Sequence, residues 1–497
     1  MTEADDIAPY DLAIIGGGVN GAGIARDAAG RGAKVLLLEA RDLASGTSSA
    51  STKLVHGGLR YLEYYEFGLV REALGEREVL WRIAPHIVRP MRFVLPHDER
   101  QRPRWVLRAG LWLYDHIGGR RTLPGADGIR LDRHVAGEAL EADYTHGFEY
   151  SDGWVDDARL VVLNAVDAHE RGAVIRTHCR MTAARRENGF WHIEAGGEAF
   201  SARALVNAGG PGANDIDRLA GLVPARGLRR VRGSHIVVPR LFEHEYAYLL
   251  QQPDTRIVFA IPYEGDFTLI GTTDADHSGS LEDVHIDARE TEYLLAAVNR
   301  SFRRDVTRND IAWTYSGVRA LVDDGSGRPE AATRGYELPL SDEADGAPVL
   351  SVYGGKITSY RHLAEEAVDA LSKRLPALRG GPWTSKTALP GGDFAATEQP
   401  AFIAELNGRY PFLSPADATR IARAYGTRAE WWLEGAKNWD DLGIDFGAGL
   451  TEAEIAYLQE AEWARSAEDV LWRRSKLGLH MSGAERDGVA AFMREGG

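Results

Sequence analysis

The chain has 497 residues, of which 44% are hydrophobic, and this length predicts two or three folded domains. Its formal net charge of −15 excludes general nucleic-acid binding, which requires a basic surface. The single cysteine, Cys179, excludes an intrachain disulfide framework and a cysteine-rich metal site, and it suits a reducing compartment.

Membrane-spanning and secretory segments are not expected in this chain. The first nine residues are polar and acidic and lack the basic start of a signal peptide. No run of about 18 apolar residues is present to cross a bilayer. We therefore expect a cytoplasmic protein whose membrane contact, if it has one, is peripheral.

Residues 11–39 predict one βαβ unit that binds a dinucleotide. Gly16 permits a tight turn after the first strand, Gly18 lets the backbone approach a pyrophosphate, and Gly21 lets the helix pack closely on the sheet. The positive N-terminus of the helix then faces the phosphates. Glu39 ends the second strand 18 residues after Gly21, where a carboxylate can accept hydrogen bonds from ribose hydroxyls. A glycine-rich turn in an unrelated α/β fold is the alternative.

Two later features favour FAD over NAD as the dinucleotide. Residues 41–49 follow Glu39 directly, and their small and hydroxylated side chains suit a backbone that runs along a pyrophosphate and a ribityl chain. The apolar strand at 204–207 leads into a second glycine turn at 208–211, which is typical of flavoproteins built from two dinucleotide-binding segments. The second turn by itself is also compatible with an ordinary loop between a strand and a helix.

The rest of the chain changes character several times. Residues 40–145 are mixed and mostly helical, residues 150–215 return to an α/β pattern, and residues 225–350 are β-rich. The remaining predictions are helices at 156–171 and 358–373, a linker at 389–392 and a helical tail.

Eight runs of residues are specific enough to compare with known families. Six lie in the first 361 residues: GTSSASTKLVHGGLRYLE at 46–63, FEYSDGWVDDAR at 148–159, GSHIVVP at 233–239, GTTD at 271–274, WTYSGVR at 313–319 and GGKITSYR at 354–361. Two lie in the tail: YPFL at 410–413 and RSAEDVLWRR at 465–474. Together, in this order, they closely resemble the FAD-dependent glycerol-3-phosphate dehydrogenases of the aerobic bacterial type over nearly the whole chain.

Two positions depart from the family pattern. The flavin-contacting turn commonly has the order Ala-Thr-Gly-Pro, where this chain has Ala-Gly-Gly-Pro at 208–211. A proline usually follows the arginine of the Ser-Gly-Val-Arg motif, where this chain has Ala320. Neither change removes a charged group, so we expect the activity to persist.

The resemblance implies an α/β fold with three parts. They are a Rossmann-like FAD-binding domain of the two-dinucleotide-segment type found in glutathione reductase and amino-acid oxidases, a β-rich substrate-binding domain and a C-terminal helical domain. The expected boundaries are 1–80, 145–225 and 335–385 for the discontinuous FAD-binding domain, 81–144 and 226–334 for the substrate-binding domain, and 390–497 for the helical domain.

The resemblance also implies a reaction, the oxidation of sn-glycerol 3-phosphate to dihydroxyacetone phosphate. Hydride would pass from C2 of the substrate to N5 of the flavin, and the electrons would continue to a membrane quinone. The phosphate dianion requires guanidinium or ammonium groups, and the C2 hydroxyl requires a base within hydrogen-bond reach. The ketone that forms gains from nearby positive charge.

Basic residues of the late β-rich half are the candidates for the phosphate and the developing oxyanion. Arg319, Arg334 and Lys356 are assigned to these charges, with Arg319 and Lys356 counted as catalytic. Arg60 and Tyr61 are expected to line the same pocket. For an isolated arginine the alternative is a surface salt bridge.

Two histidines compete for the role of catalytic base. His235 begins a strand, and His56 lies in a glycine turn just after the FAD-binding segment. We favour His235 modestly over His56. Fifteen histidines are present, so a structural role for either one is an alternative of equal weight.

The contacts to FAD come mainly from glycines and hydroxyl groups near the two turns. Met181, after the strand near Val174, is expected to contact the adenine through its backbone. The expected set is Gly16, Gly18, Asn20, Gly21, Glu39, Ser48, Ser49, Lys53, Leu54, Met181, Gly209, Gly354 and Thr358.

A peripheral membrane contact is predicted from residues 100–121, where arginines flank an apolar and aromatic centre. The alternative, given slightly more weight, is a core helix of the substrate domain. A second basic cluster consists of Arg226, Arg229, Arg230 and Arg232. If the first interpretation holds, the enzyme lies on the inner leaflet of the cytoplasmic membrane.

Three other functions share parts of this pattern. A glycerol-3-phosphate oxidase would have the same cofactor and pocket but release hydrogen peroxide. An amine or amino-acid oxidase would have the same fold and would not need three cations. A non-catalytic FAD-binding protein is disfavoured by the many charged residues of the predicted pocket. The sequence leaves the quinone, its site and the oligomeric state open, with a homodimer as one option.

Overall fold

The computed structural model describes residues 9–98, 102–118, 123–323, 335–341 and 346–495. Within these ranges it describes every side chain except those of Arg60, Glu63 and Tyr64. The predicted residues Arg100, Arg121 and Arg334 therefore lie outside the described residues, as does the side chain of Arg60.

Both strands and helices occur in the described residues up to 372, and the described residues from 373 to 495 contain helices but no named strand. The strands are β1 (Tyr10–Ile15), β2 (Val35–Leu38), β3 (Leu54–Val55), β4 (Val88–His97), β5 (Asp127–Arg130), β6 (His146–Val155), β7 (Val174–Arg176), β8 (Met181–Glu187), β9 (Phe190–Ala195), β10 (Glu198–Asn207), β11 (Leu228–Pro239), β12 (Ala247–Gln251), β13 (Ile257–Tyr263), β14 (Phe267–Gly271), β15 (Ala275–Asp276), β16 (Trp313–Val322), β17 (Tyr336–Glu337), β18 (Leu340–Ser341), β19 (Val349–Ser351) and β20 (Tyr353–Gly354). The α-helices are α1 (Val19–Gly30), α2 (Phe67–Ile83), α3 (Arg104–Ile117), α4 (Asp157–Glu170), α5 (Ala213–Leu219), α6 (Ala288–Asn299), α7 (Tyr360–Ser372), α8 (Gln399–Arg409), α9 (Pro415–Tyr425), α10 (Glu430–Leu433), α11 (Glu452–Glu462) and α12 (Gly483–Glu495).

The chain divides into two compact units. The first consists of Met1–Ser49, Ala158–Arg230 and Arg319–Gly497, and the second of Ala50–Asp157 and Val231–Val318. Both units are therefore assembled from segments that are distant in the sequence.

The first unit is built on a largely parallel sheet with the strand order β18-β19-β10-β1-β2-β7. Strand β1 lies between β10 and β2, with Ile14 opposite both Val206 and Leu37. These three side chains are fully buried, as expected for a parallel sheet whose strands are apolar on both faces. The dinucleotide turn follows β1, so it lies at the carboxyl end of the central strand, where ligands of such sheets bind.

The C-terminal helices of the first unit have a hydrophobic core of their own. Its buried members come from residues 406–493 and include Ile421 and Tyr425 of α9 and Leu458 of α11. The helical tail predicted from the sequence is therefore present, although by compactness it groups with the FAD-binding segments rather than forming a third unit.

The second unit is built on a long, mainly antiparallel sheet with the strand order β15-β11-β14-β13-β12-β4-β6-β3. Strands β4 and β6 pair over ten residues, from Val88 opposite Val155 to His97 opposite His146. One side of the sheet carries a core that includes residues of β11, β13, β14 and α6. This unit thus contains residues 231–318 of the β-rich half that the sequence indicated.

The compact units differ from the sequence-based boundaries in four segments. Residues 226–230 and 319–323 are predicted from the sequence to lie in the substrate-binding domain, but they belong to the first unit. Residues 50–80 and 145–157 had been assigned to the FAD-binding domain, but they belong to the second unit. The reason is that β3 pairs with β6, which in turn pairs with β4. The segment 40–145 was also interpreted as mostly helical, whereas it contains the ten-residue strand β4.

Candidate active site

Gly16 and Gly21 make the turn after β1 geometrically possible. Gly16 has a φ of +113°, a conformation that side chains disfavour, and an added Cβ would lie 2.5 Å from the carbonyl oxygen of Ala208. A Cβ on Gly21 would lie 1.9 Å from the carbonyl oxygen of Gly16. The turn and the close approach of α1 therefore require glycine at both positions, as the fingerprint predicts.

The residues that follow β2 wrap around this turn. The Glu39 carboxylate accepts hydrogen bonds from the amides of Gly17, at 2.6 Å, and Arg41, at 2.8 Å. The Ser48 hydroxyl accepts one from the amide of Val19, at 3.0 Å. Two predicted FAD contacts, Glu39 and Ser48, are thus held at the first turn of α1, and Gly18 lies beside them.

A second glycine pair lies against the N-terminus of α1. The Asn20 side-chain amide donates to the carbonyl of Gly354 at 3.4 Å, and Gly354 and Gly355 have φ values of +81° and +95°. The Oδ1 atom of Asn20 is buried and has no hydrogen-bond partner among the described residues. An acceptor left unsatisfied at a helix N-terminus fits a bound ligand with hydroxyl groups, such as the ribityl chain of FAD. Thr358, which lies four residues after Gly354, is buried.

Gly209 and Met181 also lie near the dinucleotide turn. A Cβ on Gly16 would be 3.2 Å from the amide nitrogen of Gly209, which itself donates to the side chain of Asn207 at 3.1 Å. Met181 is buried two residues after Cys179, whose amide donates to the Glu39 carbonyl at 2.8 Å. Ser49 makes a local bond, with its hydroxyl 3.4 Å from the Gly46 carbonyl.

Lys53 and Leu54 belong to the second unit, where both are buried. The Lys53 ammonium pairs with Asp157 at 2.7 Å, its amide donates to Ser51 at 2.9 Å, and its carbonyl accepts from Val155 at 2.9 Å. Because all of its polar groups already bond within the protein, the geometry favours a structural role for Lys53. Its contact to FAD stays a prediction.

The two candidate bases, His235 and His56, lie on the same face of the second sheet. His235 is directly opposite Gly271, which is directly opposite Phe259. Residues that face each other across antiparallel strands point to one side, so His235 and Phe259 share a face. The ring of His56 contacts the ring of Phe259 edge to face, with the centroids 6.4 Å apart.

Thr52 and Tyr315 hold the His235 ring in place. The Nε2 atom of His235 is 2.9 Å from the Thr52 hydroxyl oxygen, and the Tyr315 ring stacks on the imidazole with the centroids 4.7 Å apart. Burial raises the pKa of Tyr315 well above its ordinary value, and its neutral hydroxyl donates to the Ser51 carbonyl at 2.9 Å. Thr52 and Tyr315 lie 183 and 80 positions from His235 in the chain, so their spacing in the sequence does not indicate contact with this histidine.

The turn after His56 rests on helices α2 and α3. The amide of Gly57 donates to the Tyr114 hydroxyl at 2.8 Å, and this hydroxyl donates to the Asp152 carboxylate. Arg77 donates to the same carboxylate at 2.9 Å. A Cβ on Gly57 would lie 2.7 Å from the side chain of Leu74, so the turn also requires glycine there.

The predicted cations fall in different parts of the chain. Arg319 and Lys356 are half-buried residues of the first unit. Lys356 follows the two positive-φ glycines, and a Cβ on Gly354 would be 3.6 Å from Val322, three residues after Arg319 on β16. Tyr61, in the second unit, is half-buried in the 3₁₀ turn after Gly58.

Helix α3 exposes two tryptophans on one side. Trp105 is 74% exposed and Trp112 is 61% exposed, whereas Leu111 and Tyr114 are buried. The exposed residues Arg104, Trp105, Arg108 and Trp112 follow the helical repeat, so α3 has one exposed side and one buried side. Its contact with a membrane stays a prediction, as does the alternative of a core helix. No helix in the described ranges is long and apolar enough to span a bilayer.

The second basic cluster is largely neutralised by acidic partners. Arg226 pairs with Glu337, and Arg230 pairs with Asp215 at 2.7 Å. Arg232 pairs with both Asp287 and Glu290. These pairs reduce the positive charge available to anionic lipid, so this cluster is a weaker candidate for membrane contact than α3.

Known proteins with the predicted cofactor and fold are similar to this chain over nearly its whole length. Residues 11–361 match the family model described as FAD dependent oxidoreductase, and residues 382–495 match the C-terminal domain of alpha-glycerophosphate oxidase. D-erythritol 1-phosphate dehydrogenase of Brucella abortus is 52% identical, over 97% of this chain and 97% of its own. Aerobic glycerol-3-phosphate dehydrogenase of Escherichia coli is 50% identical, over 98% of this chain and 97% of its own.

A solved structure extends this similarity to three dimensions. The glycerol-3-phosphate dehydrogenase from Bacillus halodurans, in complex with FAD, is 26% identical to this chain. It superposes with a TM-score of 0.78, covering 98% of this chain and 91% of the other. The glycine turn, the Glu39 carboxylate and the unsatisfied Asn20 oxygen fit the same cofactor.

Proposed function

This chain belongs to the family of FAD-dependent glycerol-3-phosphate dehydrogenases, and on that premise we propose that it oxidises sn-glycerol 3-phosphate to dihydroxyacetone phosphate. The observation that supports this most is the 50% identity to the Escherichia coli enzyme over 98% of the chain. Such a relationship extends through both units and the C-terminal helices, so it includes every segment that supplies a candidate residue.

The cofactor is FAD, and bound FAD supplies the hydride acceptor for the hydrogen on C2 of the substrate. The residues that hold it are the glycines of the first turn, with Asn20 at the helix N-terminus. Glu39 would accept hydrogen bonds from the adenosine ribose, and the positive end of α1 would stabilise the pyrophosphate. The proposed site is completed by Ser48, Ser49, Met181, Gly209, Gly354 and Thr358. Contacts of Lys53 and Leu54 to FAD are also predicted from the sequence.

We assign the removal of the C2 hydroxyl proton to His235. A base must be held in one orientation, and the stack of Tyr315 on the imidazole together with the hydrogen bond between His235 and Thr52 supports this condition. His56 is the second candidate, and its ring contact with Phe259 keeps it on the same face of the sheet.

Arg319 and Lys356 are assigned to the substrate phosphate and to the charge that develops on the C2 oxygen. A guanidinium can bind two phosphate oxygens at once, and an ammonium acts as a point charge. Arg60, Tyr61 and Arg334 are further proposed contacts to the substrate.

The identity of the phosphorylated polyol is the part of the proposal that needs a direct assay. The relative named D-erythritol 1-phosphate dehydrogenase is as similar to this chain as those named for glycerol 3-phosphate. Dye-linked turnover with glycerol 3-phosphate and with D-erythritol 1-phosphate should show a higher kcat/KM for the three-carbon substrate. A higher kcat/KM for D-erythritol 1-phosphate would mean that the same reaction is carried out on the four-carbon substrate.

A membrane quinone is the proposed electron acceptor. Turnover with a soluble quinone analogue should exceed turnover with oxygen, and little hydrogen peroxide should accumulate. Stoichiometric peroxide, with no stimulation by the quinone analogue, would instead identify an oxidase.

Helix α3 is the proposed contact with the inner leaflet of the cytoplasmic membrane. Tryptophans at the boundary with the acyl chains and arginines at anionic headgroups favour binding. Flotation with vesicles of phosphatidylcholine and phosphatidylglycerol should be lost when Trp105 and Trp112 are changed to serine. Trp431, which is 62% exposed in the C-terminal segment, is the matched control, and its change to serine should leave flotation intact. Equal flotation of both variants would refute the role of α3.

A further inference from the structure

We propose that Arg473 and Arg474, near the C-terminus, are positioning residues for FAD. They hold Asp42, which lies in the segment 39–48 that wraps around the dinucleotide turn. All of these residues belong to the first unit. The run 465–474 is one of those that resemble the family, and the resemblance gives these two arginines no task. The proposal depends on the cofactor and not on which polyol phosphate is oxidised.

The segment 39–48 shapes the dinucleotide turn from outside. Beyond the contact of its first residue, the amide of Ala44 donates to the Gly17 carbonyl at 3.1 Å. Its last residue, Ser48, accepts from the amide of Val19 at 3.0 Å. The segment therefore contacts the turn at its beginning, middle and end, so a shift of the segment would move the groups that face the pyrophosphate and the ribose.

Asp42 lies in the middle of this segment with its carboxylate buried. Arg474 donates to both carboxylate oxygens, at 2.7 and 2.8 Å, and Arg473 donates to one of them at 2.6 Å. Asp42 is 2% exposed and the Arg474 side chain is fully buried. A two-pronged contact between a guanidinium and a carboxylate fixes orientation as well as distance.

The arginines are themselves held by the C-terminal helices. Arg474 also donates to the Glu462 carbonyl at 2.6 Å. The Glu462 carboxylate is fully buried and pairs with Arg159 of α4. Arg473 pairs in addition with Asp469 and with Glu468. Asp42 is shared by two arginines, so removing one of them leaves this buried carboxylate with a single guanidinium partner, which is unfavourable.

A thermodynamic link follows from this arrangement. If the contact to Asp42 favours the conformation that binds FAD, then bound FAD favours the contact by the same factor. The C-terminal helical segment then contributes to FAD binding through the segment 39–48.

The test measures the release of FAD from the holoenzyme after dilution. Flavin fluorescence rises as FAD dissociates, and its final value at equilibrium gives the dissociation constant. Arg474→Met and Asp42→Asn should each raise the dissociation constant about tenfold or more. The FAD dissociation constant of the double variant should not exceed the higher of the two single-variant constants, because both changes remove the same contact. The absorbance spectrum of the retained flavin should stay unchanged.

Arg428→Met is the matched control for general loosening of the C-terminal segment. Arg428 pairs with Glu170 of α4, so its loss removes another ion pair between the same parts of the unit without touching Asp42. Its Tm should fall while its FAD dissociation constant stays within about twofold of the unchanged protein.

Two results would overturn the proposal. In one, Arg474→Met has a lower Tm and an unchanged FAD dissociation constant. In the other, Arg428→Met releases FAD as readily as Arg474→Met does. If Arg474→Met does not fold, Arg473→Met replaces it, since its side chain is 12% exposed. A rise of about fivefold is then expected, and an unchanged constant refutes the proposal.

Discussion

The Nε2 atom of His235 lies 2.9 Å from the hydroxyl oxygen of Thr52, which is 183 residues earlier in the chain. The imidazole is also stacked on Tyr315 and 2% exposed. A histidine that is buried, stacked and hydrogen-bonded satisfies the requirements of a structural residue as well as those of a base. Replacing its partner separates the two roles more cleanly than replacing the histidine alone.

We predict that His235→Gln slows anaerobic flavin reduction roughly 10²- to 10⁴-fold, because a positioned base contributes about that much. Thr52→Val should slow it in the same direction by a smaller factor while FAD stays bound. Stopped-flow absorbance at saturating substrate measures both rates. If His56→Gln is slower than His235→Gln, the base is His56.

Tyr114 should contribute to the stability of the second unit through the Gly57 turn. Changing Tyr114 to Phe removes the hydroxyl that joins the Gly57 amide to the Asp152 carboxylate and leaves two buried groups short of a partner. The free energy of unfolding should fall by about 1–3 kcal/mol. Tyr65→Phe is the control, since Tyr65 is 79% exposed and its change should cost less than about 0.5 kcal/mol. Equal unfolding midpoints in urea for the two variants would contradict this prediction.

Asp27 in α1 should make stability depend on pH. Burial raises the pKa of this carboxyl to about 6, against the opposing effect of Arg31. The folded state then binds more protons than the unfolded state between pH 4 and 6, so the free energy of unfolding falls as the pH rises through that window. Asp27→Asn lacks this dependence.

The difference in unfolding free energy between the unchanged protein and Asp27→Asn should therefore shift by about 2 kcal/mol between pH 7 and pH 4, in favour of the unchanged protein at pH 4. Urea unfolding at several pH values measures it. Asp369→Asn, which removes a half-exposed partner of the same Arg31, is the control and should show a much smaller shift. A difference that is constant with pH would refute the assignment.

Two helical glycines should respond to alanine in opposite ways. In Gly21→Ala the new Cβ would overlap the Gly16 carbonyl oxygen, so the turn must shift and FAD binding should be lost. Gly75, in α2, has open space around its Cβ position. Gly75→Ala should therefore raise the free energy of unfolding by about 0.5–1 kcal/mol and leave FAD bound. Retention of FAD by Gly21→Ala would contradict the close packing of α1 on the turn.

The parts of the fold that the sequence predicted are those specified by local patterns. The βαβ unit at 11–39 combines apolar strands with glycines at fixed spacing, and the structure has α1 at Val19–Gly30. Strand β4 is hard to predict from the sequence, because prolines such as Pro90 and Pro96 are rare in central strands. Strand β4 pairs with β6 along its whole length but with β12 only at Phe93 and Val94. Both prolines therefore lie outside the part of β4 that has a paired strand on each side.

The site shows the same division between local and distant information. The dinucleotide turn could be predicted because its glycines lie within six residues of one another. The pairing of Lys53 with Asp157 and of Asp42 with Arg474 could not, since 104 and 432 residues separate the partners. Ion pairs of this kind depend on the tertiary packing, and a single sequence carries no signal for them.

The most direct measurement of the central claim is anaerobic mixing of the holoenzyme with sn-glycerol 3-phosphate, unlabelled or carrying deuterium on C2, with the flavin absorbance followed in time. The proposed reaction predicts that the visible flavin band bleaches and that deuterium slows the bleaching, because the bond from C2 to hydrogen breaks in that step. A flavin that stays oxidised with glycerol 3-phosphate, and is bleached instead by an amino acid, would contradict the account.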